Sequence, residues 1–327
     1  MKKDSKRDSF TAADNMPVKV VKDETLVGLI NKGVIPPIHV QYIPTNNCNM
    51  SCDFCSCDDE DRSLEMPIEK VKPMIEKFKD HGTKAVTITG GGEPLMHPQI
   101  DTILGHFYTR DIKMGLVSNG LKLKDIHPDF LNLLTWCRIS NGDFRRFTDK
   151  YSSNLENVVK NTPDVDWAFS HVVSSNPNYG EIEKVVRFAN DHDFTHVRLV
   201  SDLFNTENVP MSAIKTYLYN KGVKDDKVIY QGRKNPEKGM DCYIAYLKPL
   251  IAADGSIYRC CGVQYAINGT GKKLPEQLKM GHIDNFGEAI YDLTTARQGK
   301  QCDKCYYGSY NRTLESMLGD IEHEEFV

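Results

Sequence analysis

The stretch "NNCNMSCDFCSC", residues 46–57, places four cysteines within the ten positions from Cys48 to Cys57. Cys48, Cys52 and Cys55 have the spacing C-x3-C-x2-C. Three thiolates on one tight loop can hold three irons of a cubane cluster and leave the fourth iron without a protein ligand. An open coordination position distinguishes a catalytic metal centre from a structural one. Taken alone, the spacing also admits a zinc site. Cys57 is the spare thiol and is expected to be a bystander.

Outward from this loop, short apolar runs alternate with longer amphipathic ones. "PIHVQYI" (37–43) reads as the strand that feeds the cysteine loop, and "MPIEKVKPMIEKFKDHG" (66–82) as the following helix, with Pro67 near its start and Gly82 as its stop. Further strands are expected at "AVTIT" (85–89), "KMGLVS" (113–118), "CRIS" (137–140), "DWAFSHVVS" (166–174) and "HVRLV" (196–200). Helical runs lie between them at "QIDTILGHFYTR" (99–110), "FLNLLT" (130–135), "SNLENVVKNT" (153–162) and "EIEKVVRFANDH" (181–192). Repeated βα steps imply a parallel sheet with right-handed crossovers. Six steps suit a partial, TIM-like (β/α)6 barrel better than a closed eight-fold one. Ligands in such folds sit at the carboxyl ends of the strands, and the informative motifs fall in loops at those ends.

The chain changes character after residue 226. "KPLIAADGSIYRCC" (248–261) is a pair of β-like runs around Asp254-Gly255, a hairpin signal, and "NFGEAIYDLTTARQG" (285–299) looks helical. The expected division is an N-terminal extension over 1–37, partly mobile; a barrel over 38–239; and a small α+β domain over 240–327. The last segment holds Cys242, Cys260, Cys261, Cys302 and Cys305. With Cys260 as the member of the adjacent pair, the spacing is C-x17-C-x41-C-x2-C. Four thiolates close a site, and tetrahedral zinc or a fully ligated cubane both satisfy it.

Composition bounds the rest. The 327 residues are 40% hydrophobic and 26% charged, as in an ordinary globular protein, and the formal net charge is −4. No bulk positive field draws the chain to nucleic acid, although a local basic patch is not excluded. No apolar run approaches the ~20 residues a membrane span needs, and "MKKDSKRDSFTAADNM" has no apolar stretch behind its charges. A cytoplasmic protein is expected, with its ten cysteines as reduced thiols or metal ligands. Both the basic start and the acidic end "GDIEHEEFV" (319–327) read as solvated tails.

The cysteine loop resembles that of the radical S-adenosylmethionine (SAM) enzymes, whose signature is C-x3-C-x-aromatic-C after the first barrel strand, with Phe54 as the aromatic. "TGGGEPL" (89–95) is similar to that family's glycine-glycine-glutamate-proline motif. There the resemblance implies that Gly91, Gly92 and Glu93 receive the ammonium of the methionine half of SAM. Ser118 and Asn119 in "VSNG" and Ser140 and Asn141 in "RISNGD" fall where relatives place further pocket residues, the latter pair near the ribose. The C-terminal cysteines resemble the shortened auxiliary-cluster ("twitch") domain, and "ADGSIYRC" the larger SPASM domain. The resemblance therefore implies two [4Fe-4S] clusters, one binding SAM through Cys48, Cys52 and Cys55 and one auxiliary on Cys242, Cys260, Cys302 and Cys305.

The implied activity is reductive cleavage of SAM to a 5′-deoxyadenosyl radical, which takes a hydrogen atom from a substrate C–H bond. An auxiliary cluster would accept an electron and make the reaction an oxidation. A small polar metabolite is the expected substrate, because residues 1–37 are too few for a peptide-recognition domain. The alternatives are an isomerase or epimerase, a peptide or nucleic-acid modifier, and a non-catalytic metal-binding scaffold. An external one-electron donor such as flavodoxin or ferredoxin is implied. No acid–base residue stands out among Arg138, Asp143, His171 and Arg198. His171 and Asp143 are weak candidates, and Cys137 is a weak candidate hydrogen donor whose blander reading is a small buried hydrophobe. His97 is expected at the surface.

Overall fold

The computed structural model describes residues 16–142, 147–202, 204, 209–232, 237–265 and 273–319. Residues 1–15, most of the acidic end and Asp143 lie outside that set. Two short helices open the described chain, α1 (Met16–Val21) and α2 (Glu24–Ile30), the second capped by Asp23, whose side chain accepts from the Leu26 amide.

The barrel steps follow. Strand β1 (His39–Tyr42) leads through the cysteine loop to α3 (Ile68–Asp80), then β2 (Ala85–Ile88), α4 (Ile100–Thr109), β3 (Lys113–Ser118), the short α5 (Pro128–Leu131) and β4 (Trp136–Gly142). Next come α6 (Asp149–Lys160), β5 (Asp166–Val173), α7 (Tyr179–Asp191), β6 (Phe194–Ser201), α8 (Met211–Asn220) and β7 (Val228–Gln231). The chain ends with α9 (Ile244–Leu247), β8 (Leu250–Ile251), β9 (Ser256–Tyr258), β10 (Lys279–His282), α10 (Phe286–Tyr291) and α11 (Gly308–Leu318).

Among the described residues the strands form one open ten-stranded sheet in the order β10-β9-β8-β1-β2-β3-β4-β5-β6-β7. From β1 to β7 each strand is parallel to its neighbour, the partial α/β barrel expected, with one more strand than the six-step count. The extra strand, β7, is a short half-buried edge without clean apolar alternation, which is why its sequence did not declare it. The hairpin β8–β9 turns at Gly255 (φ +89°), and β8 lies parallel to β1, pairing Gln41 with Leu250. The C-terminal segment thus extends the barrel sheet beside the strand that delivers the cysteine loop.

Successive side chains of a strand point to opposite faces. One face of β1–β6 packs under the helices as the main core, with Val40, Tyr42, Ile88, Leu116, Ile139 and Phe169 among its buried members. A second core joins Val20, Leu26 and Ile30 of α1 and α2 to Tyr246, Tyr310 and Leu314 of α9 and α11. The start of the described chain is therefore built into its end. Met16, the last residue of the stretch read as a tail, is buried there. Among the described residues no helix is long and apolar enough to cross a membrane.

Candidate metal and cofactor site

Three loops at the carboxyl ends of β1, β2 and β3 meet. The first carries Cys48, Cys52 and Cys55, all partly buried, with the Cys55 amide bonded to the Cys52 carbonyl at 2.8 Å. Burial pushes the Cys48 thiol up. Hydrogen bonding from Cys57 brings Cys55 down to about 7. Phe54 sits half-buried between these ligand candidates.

The second loop explains its own glycines. A Cβ on Gly91 would lie 1.9 Å from Asn46 Oδ1, and one on Gly92 would lie 2.1 Å from the Asn47 carbonyl oxygen. The Gly92 amide donates to the Thr45 carbonyl (3.0 Å) and the Glu93 amide to the Asn47 carbonyl (2.9 Å). The glycines thus let the second loop lie against the backbone just ahead of Cys48.

Glu93 joins this pair to the third loop. Its carboxylate, 3% exposed, accepts from the Leu95 amide (3.2 Å), the Ser118 hydroxyl (2.6 Å) and the Asn119 amide (2.6 Å). Asn119 Nδ2 in turn donates to Asn49 Oδ1 of the cysteine loop at 2.7 Å. The residues Gly91, Gly92, Glu93, Ser118 and Asn119 are therefore brought together around the cysteine loop.

Other candidates separate. Ser140 and Asn141, adjacent on β4, point to opposite faces. Asn141 lies on the core face with Cys137 and Ile139, and both its amide atoms are buried with no hydrogen-bond partner among the described residues. Ser140 shares the inner face with Arg138. His171 falls on the face of Trp167 and Phe169, not on that of Ser170, and is fully buried. Cys137 is fully buried in the main core. His97, expected at the surface, is instead 2% exposed, because its Nε2 bonds to the Met66 carbonyl at 3.0 Å and its Nδ1 accepts from the Gln99 amide.

A second constellation lies in the C-terminal segment. Cys242, Cys260, Cys302 and Cys305 line one cavity with Arg259, Tyr307 and Asn311. Burial raises all four thiols, Cys242 to about 11 and Cys302 to about 12. Their mutual proximity adds to the rise, and Arg259 opposes it at Cys242 and Cys302. Cys261 is not among the residues that line the cavity, and its sulfur lies 2.9 Å from the Tyr307 hydroxyl. Among the described residues no three Cys, His, Asp or Glu side chains converge closely enough to hold a single metal ion. Four thiols spread around one cavity fit a cluster better than one ion.

Sequence reasoning missed three residues. Arg259, 1% exposed, immediately precedes Cys260 in "YRCC". Lys248, 6% exposed, was visible only as a charge ahead of an apolar run. Gln264, 8% exposed, donates to Cys57 Sγ at 2.8 Å and accepts from the Ser56 hydroxyl at 2.9 Å, a link across more than two hundred residues that has no local signal.

Comparison with known proteins agrees with this geometry. The family model described as "Radical SAM superfamily" matches residues 42–138, from the end of β1 through the glycine loop into β4. The chain is 28% identical over 100 residues to the GTP 3′,8-cyclase of Helicobacter pylori, covering 29% of this chain and 31% of that protein. It is 26% identical over 159 residues to an S-adenosylmethionine-dependent nucleotide dehydratase of Oncorhynchus mykiss, covering 44% of this chain and 43% of the relative. The chain thus spans less than half of either relative. In fold it is similar to SuiB of Streptococcus suis bound to S-adenosylmethionine, with a TM-score of 0.59 at 16% identity over 86% of this chain and 72% of that one. The cysteine and glycine loops both fall inside the matched segment, so the chain carries a radical SAM segment over residues 42–138.

Proposed function

We propose that the chain is a radical SAM enzyme that oxidises a substrate C–H bond, with Cys48, Cys52 and Cys55 holding the SAM-binding cluster and Cys242, Cys260, Cys302 and Cys305 an auxiliary [4Fe-4S] cluster. The observation that carries the reading is the joining of the three loops by Glu93. Three donors fix its carboxylate, which leaves the loop carbonyls beside it to receive an ammonium group. When bound, the first cluster and SAM together supply the 5′-deoxyadenosyl radical that removes the hydrogen atom.

The protein's own part is positioning and exclusion of water. The substrate lies between the mouth of the barrel and the C-terminal segment, whose hairpin borders β1. The spread of four thiols supports an iron–sulfur cluster over zinc, and a fully ligated cluster serves as electron acceptor. The domain division at 38–239 and 240–327 is retained as the functional division, although the sheet runs through both parts. A small polar metabolite is the first choice of substrate, and an external reductant completes the cycle.

A peptide is the second reading. SuiB has also been solved bound to its precursor peptide, in a structure that covers 90% of this chain with a TM-score of 0.59.

The test is anaerobic reconstitution with iron and sulfide, then addition of SAM and dithionite. About eight irons per chain with release of 5′-deoxyadenosine is the expected result. About four irons with cleavage removes the auxiliary acceptor from the proposal. A filled first cluster without cleavage turns the reading toward a metal-binding scaffold.

A further inference from the structure

Cys305 is held from two sides by consecutive residues of one helix. Its backbone exchanges two hydrogen bonds with Glu237. The Glu237 amide donates to the Cys305 carbonyl at 3.0 Å, and the Cys305 amide to the Glu237 carbonyl at 2.7 Å. Arg312 of α11 pairs with the Glu237 carboxylate from outside. Asn311, the residue before it, reaches the sulfur itself, with Nδ2 3.6 Å from Cys305 Sγ. Sulfur is larger than oxygen, so a hydrogen bond to it is correspondingly longer.

Asn311 is 1% exposed, in the first turn of α11, and lines the cavity with the four cysteines. A buried amide needs partners at both ends. Its Oδ1 accepts from the Ile244 amide, at the start of α9, at 2.8 Å. A backbone amide can only donate, so the atom facing Ile244 is the oxygen and the NH2 group is left to the sulfur side. The side chain is thus oriented by the fold and not by the sulfur. Ile244 lies two residues beyond Cys242, so one side chain ties the chain after one cysteine to the sulfur of another. The remaining backbone is fixed as well. The Cys242 amide donates to the Ala296 carbonyl and the Cys302 amide to the Gly299 carbonyl, both at 3.0 Å. A Cβ on Gly299 would lie 2.4 Å from Cys242 Cβ, so only glycine allows that approach.

We propose that Asn311 is a positioning residue of the auxiliary site, which holds the Cys305 sulfur and, by donating to it, raises the potential at which a cluster there takes up one electron. The proposal rests on the reading of the four cysteines as cluster ligands. An added electron makes the ligand sulfurs more negative. An N–H aimed at one of them therefore stabilises the reduced state more than the oxidised one. Burial strengthens the effect, because water does not screen the dipole. A higher potential suits an electron acceptor, the part given to this cluster above.

The test uses the full chain, reconstituted anaerobically, as wild type, Asn311→Ala and Asn311→Asp. Asn311→Ala removes both donor and acceptor. Asn311→Asp keeps an acceptor for Ile244 and puts an oxygen in place of the donor. Reductive titration with dithionite, followed by electron paramagnetic resonance, gives the potential of each cluster. The signal that persists when Cys48, Cys52 and Cys55 are all replaced by Ala is the auxiliary one. In Asn311→Ala the auxiliary cluster should shift about ten-fold toward its oxidised form at a fixed solution potential, roughly 59 mV for one electron. Asn311→Asp should move it in the same direction, and the first cluster should stay where it is in both. Iron analysis establishes that each variant is fully loaded, and Asn311→Asp decides the matter should Asn311→Ala not load.

An unmoved auxiliary potential in the deciding variant overturns the proposal and leaves the cluster reading standing. Equal movement of both potentials overturns it too, as a general loosening of the protein. So does loss of auxiliary iron from both variants, which would make Asn311 a requirement for assembly alone. A wild type with about four irons and no persisting signal removes the auxiliary cluster itself, and the proposal with it.

Discussion

The hydroxyl of Ser118 donates to Glu93 Oε1 at 2.6 Å, and the same oxygen of Ser118 accepts from the Gly120 amide at 2.9 Å. One side chain therefore closes the turn after β3 and holds the buried carboxylate of the glycine loop. Ser118→Ala leaves a buried charged acceptor one donor short, at a cost of about 1–3 kcal/mol. Urea unfolding should move by that amount, and SAM affinity should fall as the carboxylate shifts. Unchanged stability would mean that Ser118 and Glu93 are not bonded.

Gly92→Ala tests whether the glycine loop is needed for contact within the protein rather than for the ligand alone. The added methyl would meet backbone atoms of Asn46 and Asn47 at 2.1–2.5 Å, and backbone cannot rotate aside. A loss of about 3 kcal/mol in folding stability is expected even without iron or SAM, at the upper end of overpacking costs. If the metal-free variant unfolds like the wild type, the close approach is absent.

How far the sequence disclosed these features depended on the range of the contacts. Lys113–Ser118 is a compact apolar run, and its strand was read to the residue. His171 misled, because a polar residue in an apolar strand suggests a pocket, whereas alternation places it beside Trp167 and Phe169. Helices α1 and α2 went unread because they are only six and seven residues long and their apolar residues find partners in α9 and α11, at the opposite end of the chain. The cysteine and glycine motifs were legible because each is a local pattern. Their bridge, from Glu93 to Ser118 and Asn119, is a matter of tertiary geometry.

Within the adjacent pair, Cys260 faces the other three thiols and Cys261 faces Tyr307. Cys260→Ser should lose about four irons per reconstituted chain, the content of one cubane, while Cys261→Ser retains them. The reverse pattern would shift the ligand assignment by one residue.

His39 provides a pH signature in the stability. Its Nε2 bonds Thr87 Oγ1 at 2.8 Å, and burial, with Lys248 and Lys19 nearby, holds its pKa well below the usual histidine value. A depressed folded pKa means that the unfolded chain takes up the proton first. The stability His39 contributes is thus present above about pH 6.5 and is lost as pH falls from there toward its folded value. The slope can reach about 1.4 kcal/mol per pH unit for one proton. His39→Gln should flatten the fall in urea midpoint below pH 6.5, and an equal slope in both proteins would sink the assignment.

Gln264 spans the two cysteine groups. Its amide donates to Cys57 Sγ and accepts from Ser56, next to Cys55, while the nearby Leu274 amide donates to Glu60 Oε1 at 2.6 Å. The Cys57 amide in turn points at Cys55 Sγ, at 3.4 Å. Hydrogen bonds to a ligand sulfur are one of the levers that set a cluster's potential. Loosening the Cys57 backbone should weaken that bond and favour the oxidised cluster. Gln264→Ala is therefore expected to lower the midpoint potential of the first cluster by some tens of millivolts, as cluster hydrogen bonding does. The iron content of the auxiliary site should stay the same. Anaerobic redox titration followed by electron paramagnetic resonance reads the potential, and iron analysis reads the content. An unmoved potential would show that the link from Gln264 stops at Cys57 and does not reach the ligand beside it.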